Sequence, residues 1–206
     1  MSSEKTSYLG LNQWKKEDLF LMEEFNGDNA AVDAAVEKCA LVRLKTMTLS
    51  QSTNQVSLGL GDIDLDAYGE LHIRIDGTHM GSGLKTVQMT VNQVSSDDSY
   101  LCGDGLTGGT LSLTSTMPLG KLTGNATGSS CGLKVELGLY DQGISYRCLS
   151  AAAYSDSLCS ATLYVGTLAV GNEVTRDTLE SVDFKMETTA LKFRAGTTFT
   201  LYGIRK

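Results

Sequence analysis

Apolar side chains recur at Phe25, Val32 and Cys39, with Ala35, Val36 and Val42 in the neighbouring positions. This is helical spacing, and it predicts a helix of roughly 12 to 17 residues, a length that is marginal alone in water. Asn26 or Asp28 is expected to cap its start, Gly27 to allow the entry bend, and the Asp28 and Asp33 carboxylates to sit near the positive helix end. The Val/Ala/Cys stripe then needs cover, either from the domain that follows or from other copies of the chain. As a coiled-coil seam it is short and interrupted by Asp28. The stretch before it, Leu9-Gly10-Leu11-Asn12-Gln13-Trp14, has no regular period and reads as an extended docking segment.

After Leu44 the pattern changes to alternation, punctuated by Ser, Thr, Gly and Asn. Strands are expected over 46–49, 55–60, 69–76, 85–91, 110–117, 132–139, 144–150, 161–170, 179–186 and 198–204. The clearest has Leu71, Ile73 and Ile75 on one face and His72 and Arg74 on the other. Leu133, Val135, Leu137 and Leu139 repeat that design. Many short strands without long helices between them predict a mainly β fold, an antiparallel β-sandwich of jelly-roll type, preceded by an extended segment and one short α-helix. The expected division is 1–44 for docking and 45–206 for the sandwich. The Gly/Ser/Thr-rich segments 103–109 and 120–132 read as exposed loops.

With 206 residues the chain is long enough for a substantial core. Its net charge of −7, without a basic stripe, argues against a nucleic-acid partner and against an anionic membrane surface. No early apolar run suits a signal peptide and no stretch is long enough to span a bilayer, so the chain is expected to be made and kept in the cytoplasm, or to leave by lysis. The five cysteines are irregularly spaced and lack a C-x-x-C pair, which reads as free thiols acting as small hydrophobes.

Candidate chemistry is sparse. Asp62, Asp64 and Asp66 begin like a calcium loop, but Ala67 replaces the required Gly and Ile73 the closing carboxylate; an extended segment with Ile63 and Leu65 inward explains the spacing. His72 lies mid-strand and His79 in a loop, neither beside a recognisable nucleophile. The expectation is therefore no catalytic residue, no metal and no cofactor. Binding is the better prospect. Tyr100, Tyr140, Tyr146 and Tyr154 fall at or near strand ends, with Asp97, Asp98, Asp141, Gln142 and Asp156 close by, and aromatic rings beside polar groups suit sugars. The opposing reading is that the tyrosines fill the core with hydroxyls at the surface.

Leu11-Asn12-x-Trp14 with Asp18, then Glu24-Phe25-Asn26-Gly27-Asp28-Asn29 and Val32-Asp33-Ala34-Ala35, resembles the N-terminal segment of tail-fibre and receptor-binding proteins of phages and phage-like particles infecting Firmicutes. Segments 61–71 and 90–100 resemble strands of the jelly-roll domains in such fibres, and Leu201-Tyr202-Gly203-Ile204 resembles their closing strand; 101–177 matches no known pattern. The resemblance implies a virion protein, usually a homotrimer, whose N-terminal segment enters a tail or baseplate protein and whose β domain meets a host-surface glycan. Assembly would rest on Leu11, Trp14, Phe25, Val32 and Val36, and ligand contact on the four tyrosines. The alternatives are a purely structural tail or baseplate adaptor and a polysaccharide hydrolase. The latter needs paired carboxylates, for which the adjacent Asp97 and Asp98 are poorly spaced.

Overall fold

The structure, a computed structural model, describes residues 2, 4–7, 9–39, 41–96, 99–105, 111–124, 130–154, 158–168 and 174–206. A short hairpin, β1 (Glu4–Lys5) and β2 (Asn12–Gln13), precedes helix α1 (Met22–Cys39). There follow β3 (Leu41–Thr48), β4 (Gln55–Gly59), β5 (Tyr68–Asp76), β6 (His79–Met80), β7 (Leu84–Val91), β8 (Tyr100–Asp104), β9 (Ser112–Thr114) and β10 (Met117–Thr123). The chain continues through β11 (Ser130–Tyr140), β12 (Gly143–Tyr154), β13 (Leu158–Leu168), β14 (Ser181–Met186), β15 (Lys192–Phe193) and β16 (Thr198–Arg205).

The fold is mainly β, an antiparallel sandwich preceded by the N-terminal segment and a single α-helix among the described residues. One layer has four strands in the order β10-β7-β14-β4. The other has eight, in the order β3-β16-β5-β11-β12-β13-β8-β9. Side chains alternate across each strand, so the core is built from one parity: Leu71, Ile73 and Ile75 of β5, Leu133, Val135 and Leu137 of β11, and Val182 and Phe184 of β14 are all fully or almost fully buried. Phe199 stands at its centre, with ring centroids 5.3 Å from Phe184 and 5.4 Å from Phe193. Cys102, Cys131 and Cys148 are free thiols.

Several expectations need correction. The helix begins at Met22, where Glu23 and Glu24 supply the first-turn acids, so Asn26, Gly27 and Asp28 lie inside it and cap nothing. Val42 is not helical. Strand β3 starts at Leu41 and runs across the boundary expected after Leu44, paired to β16 from Leu41 to Thr48. The expected strand over 110–117 is two strands in different layers: β9 pairs with β8, whereas β10 pairs with β7. Gly120 lets β10 cross close over the large sheet, because its φ is +124° and a Cβ there would collide with the Ser150 hydroxyl. Residues 61–67 are not extended. A turn and a 3-10 turn (Leu65–Ala67) give each carboxylate its own role: Asp62 pairs with Lys45 at 3.0 Å, Asp64 accepts from the Asp66 backbone N–H, and Asp66 reaches Arg176.

Around α1, the Leu-Asn-x-Trp stretch turns back onto the helix. The Asn12 backbone N–H and side-chain amide both donate to the Asp28 carboxylate, at 3.0 and 2.8 Å, and the same amide donates to the Glu24 carbonyl. Trp14, Phe20 and Phe25 form a ladder of rings with centroid separations of 5.1 and 5.6 Å. One half-buried stripe of the helix, Glu24, Asp28, Ala31 and Ala35, is thereby used. Met22, Phe25, Asn29, Val32 and Val36 form an adjacent stripe that is exposed along its length.

Candidate functional site

The inner face of the large sheet is covered by β10, β7 and β14; no layer of described residues covers its outer face. Three central strands present that outer parity: Glu70, His72 and Arg74 on β5, Gly132, Lys134, Glu136 and Gly138 on β11, and Ser145, Arg147, Leu149 and Ala151 on β12. Cross-strand registers set Glu136 opposite both His72 and Arg147, and Gly132 opposite Ala151. Tyr202 of β16 lies opposite His72 on the far side of β5.

At one end, Tyr140 closes β11 with its side chain 60% exposed. Its ring lies over the bare backbone of Gly138. A Cβ at Gly138 would sit 2.9 Å from the ring and 2.7 Å from the Ser145 hydroxyl. Glu70, Glu136, Ser145 and Arg147 complete a hollow of about 260 Å³ beside it. Next along the strands, Lys134 and Arg147 both bind Glu136, with Lys134 Nζ at 2.8 Å and Arg147 Nε at 2.5 Å. Partial burial pushes the Glu136 carboxyl up, and the hydrogen bonds from Lys134 and Arg147 outweigh it, leaving the group below the ordinary carboxylate range. Beyond this rung a second hollow of about 510 Å³ is walled by Leu41, Tyr202 and Leu149 over His72, Arg74 and Lys134. A third, of about 550 Å³, is lined by the outward Gly132, Ala151, Ala153 and Ala161 together with Cys131, Ala152 and Ser160 of the opposite parity.

The four candidate tyrosines are not brought together. Tyr100 is 0% exposed; its hydroxyl donates to the Val94 carbonyl at 2.7 Å and accepts from the Val91 N–H at 3.1 Å, and burial pushes its pKa up to about 12. Tyr146 is 3% exposed on the core face with Ile144 and Cys148, donates to the Pro118 carbonyl, and has its pKa pushed up by burial. Tyr100 is therefore a correction, its ring sealed in the core; Tyr146 is in the lining of the hollow beside Tyr140, but its side chain is buried on the core face. Tyr154 is half-buried against Gly124, away from the outer face. Only Tyr140 has its ring on that surface. Of the polar groups named with the tyrosines, Asp97, Asp98 and Asp156 lie outside the described residues. Asp141 is bound instead to Arg176, which also reaches Asp66, with Nη2 and Nε at 2.7 and 2.9 Å, and so ties the β11–β12 turn to the two 3-10 turns, Leu65–Ala67 and Arg176–Thr178.

Sequence reasoning missed His72 and Tyr202 as site residues. His72 is only 8% exposed; its Nε2 is 3.1 Å from Glu70 and its Nδ1 has no hydrogen-bond partner among the described residues. The available signal was alternation: Phe199 and Leu201 inward put Tyr202 outward, beside His72. His79, the other histidine, is fully buried against the Gly83 carbonyl, far from this face in register, and burial holds its pKa below the ordinary value.

No protein-family model, curated protein or solved structure matches the chain.

Proposed function

We propose that this chain is a phage-tail-type attachment protein, in which the segment before β3 anchors and trimerises the chain and the sandwich offers a glycan-binding face. One observation carries the reading. Tyr140 lies exposed over Gly138, with Glu70, Glu136, Ser145 and Arg147 around it, an aromatic platform ringed by hydrogen-bonding groups on an uncovered sheet. No step of bond making is required of these residues, and the role is adhesion within a virion.

The anchoring half of the proposal is supported by the exposed stripe Met22, Phe25, Asn29, Val32 and Val36, whose alternating spacing of three and four suits packing of parallel helices. Trp14 adds a buried indole N–H without an acceptor among the described residues, beside the hairpin that would enter a tail or baseplate protein. The deciding experiment is a glycan array probed with the full chain and with Tyr140→Ala. Selective binding that falls at least tenfold in the variant is the expected result. Absence of binding to any glycan, with retention in assembled particles, would leave the structural adaptor in its place.

A further inference from the structure

We infer that the outer face of the eight-stranded sheet is a furrow for one linear, uncharged polysaccharide chain, seated lengthwise over β11 and β12 and hydrogen-bonded by His72. The inference rests on the glycan-binding reading above and gives it a ligand class and a direction.

The direction comes from the line of the three hollows. They follow outward positions two residues apart, from Ser145 through Arg147, Leu149 and Ala151 to Ala153; the first two lie on either side of the Lys134–Glu136–Arg147 rung, and the second and third share Gly132 and Ala151. The eight steps from Ser145 to Ala153 span about 27 Å, a length that suits several pyranose rings end to end and far exceeds one. Side chains stay low over the far half: Gly132, Ala151, Ala153 and Ala161 rise no higher than a methyl group, and a Cβ at Gly132 would meet nothing within 4 Å. Leu41, Tyr202 and Leu149 form apolar walls for the C–H faces of sugar rings.

His72 supplies the independent sign of a ligand. It lines the middle hollow, has its side chain about nine-tenths buried, and keeps Nδ1 without a partner among the described residues while Nε2 faces Glu70. A buried polar atom left unpaired is costly, and a ligand hydroxyl that reaches Nδ1 on a turn of the ring would satisfy it.

Charge gives the class. The furrow holds three fixed cations, Arg74, Lys134 and Arg147, and two carboxylates, Glu70 and Glu136, with a third, Asp76, beside Arg74. Arg74 is bound to Asp76 at 2.9 Å, and Lys134 and Arg147 to Glu136. Each of these cations thus already has a carboxylate partner, Lys134 and Arg147 sharing Glu136, and the three positive charges are matched in number by three negative ones; the chain as a whole carries −7. A polyanion would gain no free cation and would meet a repulsive field, whereas an uncharged chain of hydroxyls can accept from and donate to the paired groups at no electrostatic cost.

The test is titration calorimetry of the full chain with linear gluco-, manno-, galacto- and N-acetylglucosamine oligosaccharides from mono- to octasaccharide, beside polygalacturonate and polyglycerol phosphate as anionic probes. In at least one neutral series, affinity should rise more than tenfold with length and level off near the pentasaccharide, unaffected by added salt. Ala151→Tyr and, independently, Ala153→Tyr raise a ring from outward positions, and should each weaken the long oligosaccharides at least tenfold while leaving the Tm unchanged. His72→Phe should cost about tenfold at every length beyond the disaccharide. Equal affinity for mono- and octasaccharide, salt-sensitive binding of the anionic probes alone, or undiminished binding by both alanine variants would each overturn the inference. If the glycan array is positive but every neutral linear series fails, the furrow is wrong and the attachment reading stands; if both are negative, both fall. A change of solution mass in place of sugar affinity on Ala151→Tyr would make the face a contact between copies.

Discussion

At the level of single residues, the two tyrosines hidden in the core have roles as definite as the one on the surface. Tyr100 satisfies both Val91 N–H and Val94 C=O, so Tyr100→Phe leaves a buried donor and acceptor unpaired. Chemical denaturation should register a loss of about 1–3 kcal/mol, with the sandwich still formed. Gly138→Ala sets a methyl group against the Tyr140 ring and the Ser145 hydroxyl, and should tilt the ring off its seat at a cost of about 1–3 kcal/mol. Tyrosine fluorescence and glycan affinity would change together. His79 gives the fold a pH dependence of known sign. Its folded pKa lies below the ordinary value of 6.5, so below that pH the unfolded chain takes up a proton that the folded chain refuses. Stability should therefore fall as pH drops from 6.5, flattening once the folded pKa is reached, and His79→Gln should remove that part of the slope in denaturation midpoints measured from pH 7 downward.

Among the elements, α1 depends on its hairpin. Asn12→Ala removes the side-chain bonds to Asp28 and Glu24 while keeping the backbone bond, and should raise hydrogen-exchange rates in β2 and the first half of α1, by an amount corresponding to about 1 kcal/mol, without shifting the melting of the sandwich. Most of the strands were legible because their patterns are local: Leu71-Ile73-Ile75 and Leu133 to Leu139 alternate cleanly with polar residues. Strand β12 was less so, since Ile144 and Cys148 on one face compete with Leu149, Ala151 and Ala153 on the other, and that ambiguity hid which side Tyr146 takes. The same parity rule applied from Leu139 and Leu201 would have placed Tyr140 and Tyr202 outward. The helix start was misplaced because Asp28 looks like a cap, while its actual partner, Asn12, lies sixteen residues earlier. Pairings between distant segments, such as β16 between β3 and β5 or Arg176 between Asp66 and Asp141, leave no local trace. The furrow depends on such pairings, so its residues could be read singly but not as a site.

For the molecule as a whole, the proposed assembly has a direct measure. Light scattering of the full 22.0 kDa chain should give about 66 kDa for three copies. Val36→Asp, which charges the exposed stripe without touching the Asn12 side of the helix, should return it to the monomer; an unchanged monomer in both would remove the trimer from the proposal. One connection adds a mechanical consequence. Helix α1 ends at Cys39 and β3 begins at Leu41, and β3 is an edge strand held to β16 at seven paired positions. Suppose a tethered particle is dragged by flow while its sandwich grips a surface. Tension drawn along β3 then stretches all of those hydrogen bonds in parallel, and the joint resists until they fail together. Tension drawn across β3 peels them in sequence, at much lower force. In the proposed attachment role, the same few residues would make the molecule a strong tether in one direction and a quick release in the other.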